Sequence, residues 1–159
     1  MISVAILTIS DSAAAGTRQD ISGPALVGKC EELKWPIAAR AIVPDDSQRI
    51  SLQLATWADE AIANLILTTG GTGISSRDHT PEATRAILDR ELPGLGELMR
   101  MKGCEQTPLA MLSRAVAGTR KRALIVNLPG SPRGAVYSLE VTANLIPHAL
   151  ELLAGNTEH

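Results

Sequence analysis

Short aliphatic runs alternate along this chain with stretches in which apolar residues return every three or four positions. The aliphatic runs are rich in Val, Ile and Leu and predict four strands, over residues 4–9, 37–43, 65–69 and 123–128, the last of them buried. Helical spacing predicts helices over residues 24–33, 81–89, 95–101 and 108–116. Because strands alternate with helices, we expect an α/β fold: a single-domain three-layer sandwich with a doubly wound, mostly parallel sheet flanked by helices.

Two longer helical patterns complete this picture. One begins near residue 47 and places four apolar residues on one face: Ile50, Leu54, Trp57 and Ala61. The other runs through six apolar residues near the C-terminus: Val136, Leu139, Ala143, Ile146, Leu150 and Leu153. Pro147 predicts a kink in this last helix, and Pro93 with Gly94 predicts the end of the helix over 81–89. We expect residues 1–155 to form one domain and residues 156–159 to be a frayed tail.

Composition narrows the classes of function. The chain has 159 residues, 45% of them hydrophobic, and no Phe, so we expect one aliphatic core. A net charge of −2 argues against nucleic-acid binding, which needs a basic surface. Cys30 and Cys104 are too few and too far apart for a zinc site or a disulfide framework. No apolar run is long enough to span a bilayer and no basic segment precedes the first strand, so the prediction is a soluble, cytoplasmic protein without a membrane partner.

The most informative stretch follows the third predicted strand, at residues 70–83. Gly70, Gly71 and Gly73 let the backbone approach a ligand closely, and each is a candidate for positive φ. A strand, a glycine turn and a helix start together favour the binding of an anion, because free main-chain N–H groups point at it. Asp78 adds a carboxylate that could hold a metal ion. The loop has neither the Lys of a Walker motif nor the third spaced Gly of a dinucleotide-binding loop. The loop therefore predicts a site for a phosphorylated ligand that is neither a Walker site nor a dinucleotide-binding site.

Polar residues also follow the other three predicted strands. In a doubly wound sheet, ligands bind outside the carboxyl ends of the strands, so we expect one site built from four strand ends. Outside the glycine loop its members are Ser10, Asp11, Asp45, Asn127, Pro129, Gly130 and Ser131. For several of these residues, a purely structural role is an alternative to ligand binding. Asp45 or Asp46 could be the N-cap of a helix, and Asn127 and Ser131 could be ordinary turn residues.

These motifs resemble those of the molybdenum-cofactor biosynthesis proteins that bind molybdopterin. The resemblance is to the stand-alone molybdopterin adenylyltransferase branch, which is similar to the G domain of gephyrin. It rests on Ser10-Asp11, on the loop over 70–83, on Met111-Leu112-Ser113-Arg114 and on the stretch 127–132. It covers nearly the whole chain and implies transfer of AMP from Mg-ATP to the terminal phosphate of molybdopterin, with release of pyrophosphate. ATP is the implied co-substrate and Mg²⁺ the implied cofactor.

The resemblance also assigns roles to residues. Asp45 and Asp78 are the implied catalytic residues, with Asp45 as the Mg²⁺ ligand and Asp78 as a candidate second ligand. The implied substrate- and phosphate-binding residues are Ser10, Asp11, Gly70, Gly71, Thr72, Gly73, Ser113, Asn127, Pro129, Gly130 and Ser131. An attacking phosphate is already anionic, so the reaction needs donors, cations and a metal rather than a general base. Taken alone, Asp78 could instead form a salt bridge to Arg77 or a hydrogen bond within the loop, and Ser113 could merely be a cap or a turn residue.

Other functions stay open from the sequence. The main alternative is a non-catalytic carrier or sensing module, since related trimeric proteins bind pterin without adenylating it; retention of both aspartates favours catalysis. A pyrophosphohydrolase of the competence-damage type or a gephyrin-like clustering protein would normally have further domains. The resemblance also implies a homotrimer, with the apolar helices over 95–101 and 109–116 as its interface, and a downstream metal-insertion protein as a partner. The sequence neither distinguishes molybdenum from tungsten nor assigns a role to His79.

Overall fold

A computed structural model describes residues 1–157 and contains a six-stranded sheet. The strands in chain order are β1 (Val4–Ile9), β2 (Ile37–Val43), β3 (Leu65–Thr69), β4 (Arg90–Glu91), β5 (Ala117–Arg120) and β6 (Ala123–Leu128). They lie in the sheet in the order β2-β1-β3-β6-β5-β4. The neighbours among β1, β2, β3 and β6 pair in parallel, whereas β5 pairs antiparallel with both β4 and β6. The four predicted strands are confirmed with the expected bounds.

Helices connect these strands. Within residues 1–157 the α-helices are α1 (Asp11–Ala14), α2 (Ser22–Glu32), α3 (Ser47–Asp59), α4 (Thr80–Arg85), α5 (Pro93–Gly103), α6 (Pro132–Thr142) and α7 (Ile146–Leu153). A 3-10 helix, Pro108–Leu112, follows α5. None of the helices described in this range is long and apolar enough to cross a bilayer.

Three of the parallel strands, β1, β3 and β6, are buried on both faces, whereas the residues of the edge strand β2 are mostly half-buried or exposed in alternation. Along β1, Val4 and Ile6 belong to one hydrophobic cluster and Ala5 and Leu7 to another, because successive side chains point to opposite faces of a sheet. The first cluster packs against α2, α5, α6 and α7, and the second packs against α3 and α4. Burial on both faces explains why these strands read as continuous aliphatic runs. The predicted fold class, a three-layer α/β sandwich, is confirmed.

The antiparallel half of the sheet was not predicted. The helix predicted over 81–89 ends at Arg85, and residues 90–91 form β4. Pro93 begins α5 rather than ending a helix, because a first-turn proline needs no N–H partner. The helix predicted over 108–116 is only the 3-10 helix, and the chain then extends into β5.

Two further expectations about helices were wrong. Ala61 lies beyond the end of α3, exposed and with φ of +54°. The C-terminal pattern is two helices rather than one kinked helix, because Pro147 lies in the first turn of α7, where a proline is tolerated. Gly155, with φ of +95°, follows α7 as a left-handed terminating residue, and residues 156–157 have no regular structure. Residues 158–159 of the predicted tail lie outside the described residues.

A buried amide joins the two halves of the sheet to α4. Asn127 on β6 is fully buried, and its Nδ2 donates to the hydroxyl oxygens of Thr68 and Thr84, both at 3.0 Å. Its Oδ1 accepts from the Val116 N–H at 3.2 Å. Both amide protons and the amide oxygen are therefore engaged within the protein. The network holds β3, β6, α4 and the start of β5 together directly behind the glycine loop.

We expect Asn127→Ala to destabilise the fold by about 3 kcal/mol, because each buried polar group left without its partner costs about 1–3 kcal/mol. Urea denaturation measures this change. Asn144→Ala is the matched control, since Asn144 is exposed and its loss should change stability by less than about 0.5 kcal/mol. Equal stability of the two variants would contradict the role assigned to the network.

Candidate functional site

The glycine loop, residues 70–79, connects β3 to α4 and contains two left-handed residues. Gly70 has φ of +105° and Gly71 has φ of +67°, conformations that side chains disfavour. A Cβ at Gly70 would overlap the carbonyl oxygen of Ile9 at the end of β1. On the other side, a Cβ at Gly130 would lie 3.4 Å from the Cα of Gly70. The chain segments at the ends of β1, β3 and β6 therefore meet with no side chain between them.

The carboxylate of Asp78 closes a turn within the loop. Its Oδ2 accepts from the Ser75 N–H at 2.9 Å, and its own N–H donates to the Ser75 carbonyl oxygen at 3.0 Å. Gly73 does not have the positive φ expected of it; its missing side chain instead leaves room for Asp78 Oδ2, which lies 2.8 Å from where a Cβ would be. Asp78 forms no ion pair with any described residue. The alternative of a salt bridge to Arg77 is wrong, because Arg77 pairs with Asp11, whereas the alternative of a hydrogen bond within the loop is confirmed by the bond from the Ser75 N–H.

Asp45 packs against the loop just after β2. The residue is only 7% exposed, and its Oδ1 accepts from the main-chain N–H of His79 at 3.0 Å. Its Oδ2 lies beside Gly71, accepts no hydrogen bond within residues 1–157 and is not sealed from solvent. Burial raises the pKa of Asp45 above the ordinary aspartate value. The N-cap of α3 is Asp46, whose Oδ1 accepts from the Arg49 N–H, so Asp45 is left facing the loop.

Asp11 links the ends of β1 and β2 to the loop. Its Oδ2 accepts from Arg77 Nε at 3.1 Å and Nη2 at 2.9 Å, and its Oδ1 accepts from the Asp45 N–H at 3.0 Å. These bonds, with that of Arg77 foremost, hold the pKa of Asp11 below its ordinary value. Ser10 is the N-cap of α1, its Oγ accepting from the Ala13 N–H. Because the ion pair is largely exposed, it adds little stability, and a ligand can displace it at low cost.

A cavity of about 640 Å³ lies beside the loop, a size typical of small-molecule sites. Eight predicted site residues line it: Gly71, Thr72, Gly73, Asp78, Ser113, Pro129, Gly130 and Ser131. The cationic side chains of Arg100 and Arg133 also line it, with Ile74, Met99 and Leu112 as an apolar wall. The cavity thus combines close backbone approach, cations and one carboxylate with apolar surface. This combination suits an anionic ligand that carries a ring system.

The other five predicted residues lie outside the lining of this cavity: Ser10, Asp11, Asp45, Gly70 and Asn127. Of these, Gly70 and Asn127 hold the strand ends together. Two of the lining residues also have structural bonds, since the Oγ of Ser113 accepts from the Ala115 N–H and that of Ser131 from the Gly134 N–H. Direct contact of any of the predicted residues with a ligand stays a prediction.

Sequence reasoning overlooked Arg114, although it ends one of the motifs. Its main-chain N–H donates to the carbonyl oxygen of Thr72 at 2.8 Å. Its guanidinium donates to the carbonyl oxygens of Gly73 at 2.7 Å and Asp78 at 3.0 Å, and it pairs with Glu82 of α4. Carbonyl acceptors in an irregular loop have no signature in the sequence. Only the position of the arginine within the motif could have indicated it.

The carboxylates fit a magnesium ion that arrives with a phosphorylated ligand. Among the described residues, no three His, Cys, Asp or Glu side chains are grouped so that they could hold a metal by themselves. Magnesium in phosphoryl-transfer sites is commonly held by one or two carboxylates, with phosphate oxygens and water completing its shell. The open Oδ2 of Asp45 and the carboxylate of Asp78 match that pattern.

The fold and the site define a single-domain α/β protein with a glycine-loop cavity at the carboxyl ends of its parallel strands. A family model described as "Probable molybdopterin binding domain" matches residues 5–148. This chain belongs to that family of molybdopterin-binding domains.

Named relatives and a solved structure agree with this assignment. The chain is 41% identical over 157 residues to the molybdopterin adenylyltransferase of Helicobacter pylori strain J99, covering 98% of this chain and 89% of the relative. It is 40% identical over 166 residues to the molybdopterin adenylyltransferase of Escherichia coli K12, covering 96% and 85%. It is 52% identical to the molybdopterin biosynthesis enzyme MoaB from Thermus thermophilus, with a TM-score of 0.92 and 98% of each chain covered. The resemblance seen in the motifs is confirmed for family and fold.

Removal of the Asp45 charge should stabilise the metal-free protein at neutral pH. Because burial raises the pKa of Asp45, the folded protein binds this proton more tightly than the unfolded chain does. The cost of the Asp45 charge to folding stability is absent below the ordinary aspartate pKa of about 4, and it develops as the pH rises through the raised pKa of the folded state. We therefore expect Asp45→Asn to have a higher Tm than wild type at pH 7 in EDTA, and the difference to vanish near about pH 3.5.

The control for this comparison is Asp46→Asn. Asparagine caps helices as well as aspartate does, so its Tm should follow that of wild type at both pH values. A lower Tm for Asp45→Asn at pH 7 would show that the hydrogen bond to Asp45 outweighs the burial of its charge.

Proposed function

We propose that this protein is a molybdopterin adenylyltransferase that transfers AMP from Mg-ATP to the terminal phosphate of molybdopterin and releases pyrophosphate. The observation that carries the proposal is the glycine-loop cavity bordered by Asp78, in a chain 40–41% identical to proteins of that name over 96–98% of its length. ATP is the co-substrate in this proposal, and a cytoplasmic location follows from the need for ATP. The product would pass to a metal-insertion protein.

The site suits this chemistry because the reaction needs charge neutralisation more than proton transfer. The attacking phosphate of molybdopterin is already an anion, so no general base is required. The main difficulty is to hold several phosphates together, and the loop backbone, Arg100 and Arg133 supply donors and positive charge along the cavity. Magnesium bound with ATP would neutralise the triphosphate, with Asp45 and Asp78 as its protein ligands. The apolar wall formed by Ile74, Met99 and Leu112 gives a ring system a surface to pack on.

The test of the proposal is formation of adenylated molybdopterin and pyrophosphate by the purified protein with molybdopterin and Mg-ATP. We expect Asp78→Asn to lower the rate on the order of 10²-fold or more, since a charge that stabilises the transition state is lost. Pterin affinity should change only a few-fold, because the shape of the side chain is kept. Asp46→Asn is the control and should react at the wild-type rate, since Asp46 only caps α3.

Two results would overturn parts of this proposal. A wild-type rate for Asp78→Asn would remove its assigned role. Wild-type protein that binds pterin and forms no adenylated product would instead be a non-catalytic binding protein of the same family.

We also propose that the protein is a homotrimer. Four large apolar side chains are exposed on α5 and the 3-10 helix: Met101, Leu109, Met111 and Leu112. Leu109 and Leu112 also line the ligand cavity, so the proposed interface borders the site. The interface predicted from sequence needs correction, since Leu95 is 8%, Met99 5% and Val116 4% exposed, and these side chains are therefore buried within the chain. A cluster of exposed apolar residues usually marks an interface, and a closed ring of identical chains would bury it.

Sedimentation equilibrium should give about three times the 16.8 kDa chain mass. We expect Met111→Asp to shift the protein towards monomer, because it places a charge in the proposed interface. Leu52→Asp is the matched control: Leu52 is also exposed but lies on α3, so the mass should stay at the wild-type value. A wild-type monomer at micromolar concentration would contradict the trimer and leave the proposed reaction unaffected.

A further inference from the structure

The glycine loop has few bonds of its own to keep it in place. Residues 70–79 form no regular structure, and residues 74–77 are exposed. At its start, Gly70 accepts a hydrogen bond from the Thr80 hydroxyl at 2.9 Å. Its internal bonds close the turn between Ser75 and Asp78 but do not join that turn to the start of the loop. The two ends of the loop are joined by Thr80, because its N–H also donates to the Gly71 carbonyl oxygen at 3.1 Å. The segment between these ends, from Gly73 to Asp78, still needs a contact from outside the loop.

The guanidinium of Arg114 makes that contact. It spans the loop from the Gly73 carbonyl oxygen to that of Asp78, and its ion pair with Glu82 extends the connection into α4. The main-chain N–H of Arg114 donates to the Thr72 carbonyl oxygen, so the backbone from which the guanidinium extends is itself fixed beside the loop. Four bonds from one residue therefore join the loop, α4 and the segment before β5.

Only arginine suits this geometry. Its planar guanidinium presents donors in a fixed fork and stays charged at all accessible pH values, so it binds three separated oxygen acceptors at once. A lysine at the same position would keep the charge and most of the length. Its single ammonium group cannot reproduce the spacing of the three acceptors.

Arg114 itself is not among the residues that line the cavity, so its effect on a ligand must pass through the loop. The residue it fixes most directly is Asp78, since Arg114 holds the main-chain oxygen of Asp78 while Ser75 holds its carboxylate. Misplacement of a reacting or charge-stabilising group by about 1 Å can lower a rate on the order of 10²-fold. The four bonds that Arg114 makes to the loop and α4 are called the Arg114 clamp. Loss of this clamp should therefore lower the rate of AMP transfer more than it weakens ligand binding.

We propose that Arg114 is a positioning residue that holds the Asp78 carboxylate in the orientation required for AMP transfer. This inference rests on the proposed function, because it assigns Arg114 to the same reaction. Arg114 acts through Asp78 rather than by contact with the substrate.

The test compares Arg114→Lys with Arg120→Lys. Arg120 has the same kind of environment, since it pairs with Asp59 and donates to the Ile87 carbonyl oxygen at 2.9 Å. Arg120 lies at the amino end of the parallel strands, away from the site, where it pairs with Ala123, the first residue of β6. For Arg114→Lys we expect kcat to fall on the order of 10²-fold, with KM for pterin within a few-fold of wild type. Arg120→Lys should retain the wild-type kcat.

A double variant distinguishes positioning from general damage. If Arg114 acts through Asp78, then Arg114→Lys in an Asp78→Asn background should lower kcat little further, because coupled residues are not additive. Glu82→Gln removes the ion pair and leaves the carbonyl contacts of Arg114, so its kcat should fall far less than that of Arg114→Lys. Additive losses in the double variant, or equal losses in Glu82→Gln and Arg114→Lys, would overturn the proposal.

Amide hydrogen exchange separates this inference from the proposed function. Exchange in residues 70–79 should be faster in Arg114→Lys than in wild type, and unchanged in Arg120→Lys. Unchanged exchange in Arg114→Lys would overturn the positioning role whether or not the wild type transfers AMP. If the wild type formed no adenylated product, the proposed function and the role of Arg114 in AMP transfer would both be wrong. Faster exchange of residues 70–79 in Arg114→Lys would still show that Arg114 holds the loop in place.

Discussion

The site depends on a close backbone contact between strand ends. Gly70 lies against the carbonyl oxygen of Ile9 on one side and near Gly130 on the other, and a side chain at Gly70 would force β1 and β3 apart. The Gly70 N–H donates to the Leu128 carbonyl oxygen at 3.3 Å, which ties the loop to the end of β6. Because these segments touch directly, the polar residues that follow three parallel strands are collected at one place. The cavity is a consequence of that contact.

The acidic residues of the site are held in different ways. Asp11 is exposed and paired with Arg77, whereas Asp45 is buried and accepts its hydrogen bond from a main-chain N–H. Asp78 borders the cavity and is fixed by the turn that it closes. Since a buried carboxylate without a cation is unfavourable for folding, the aliphatic core on both faces of the sheet must supply the stability that Asp45 removes. Residues that lower folding stability in this way are typical of functional sites.

Much of the fold could be predicted because three of the parallel strands, β1, β3 and β6, are buried on both faces and the edge strand β2 is still rich in aliphatic residues. Their aliphatic runs leave an unambiguous pattern, which β4 and β5 lack: β4 has two charged residues, and β5 contains Gly118 and Arg120. The two wrong predictions at Pro93 and Pro147 have one cause, since a proline ends one helix or begins the next and composition alone does not say which. For the site, sequence patterns identified the glycine loop and the strand ends. They missed the clamp by Arg114, because its acceptors are main-chain oxygens present at every residue.

The order of strands in the sheet also bears on how the molecule reaches its native state. β3 and β6 are neighbours in the sheet, yet residues that contact each other across them, such as Thr68 and Asn127, are 59 positions apart in the chain. Pairing of distant parallel strands is intrinsically slow, because the entropy of closing the intervening segment is lost before the contacts between the strands form. The ligand cavity needs the end of β6 beside the glycine loop, so it cannot exist before that pairing. Any partly folded state in which β3 and β6 are unpaired therefore lacks the cavity, and the appearance of the cavity reports completion of the central sheet.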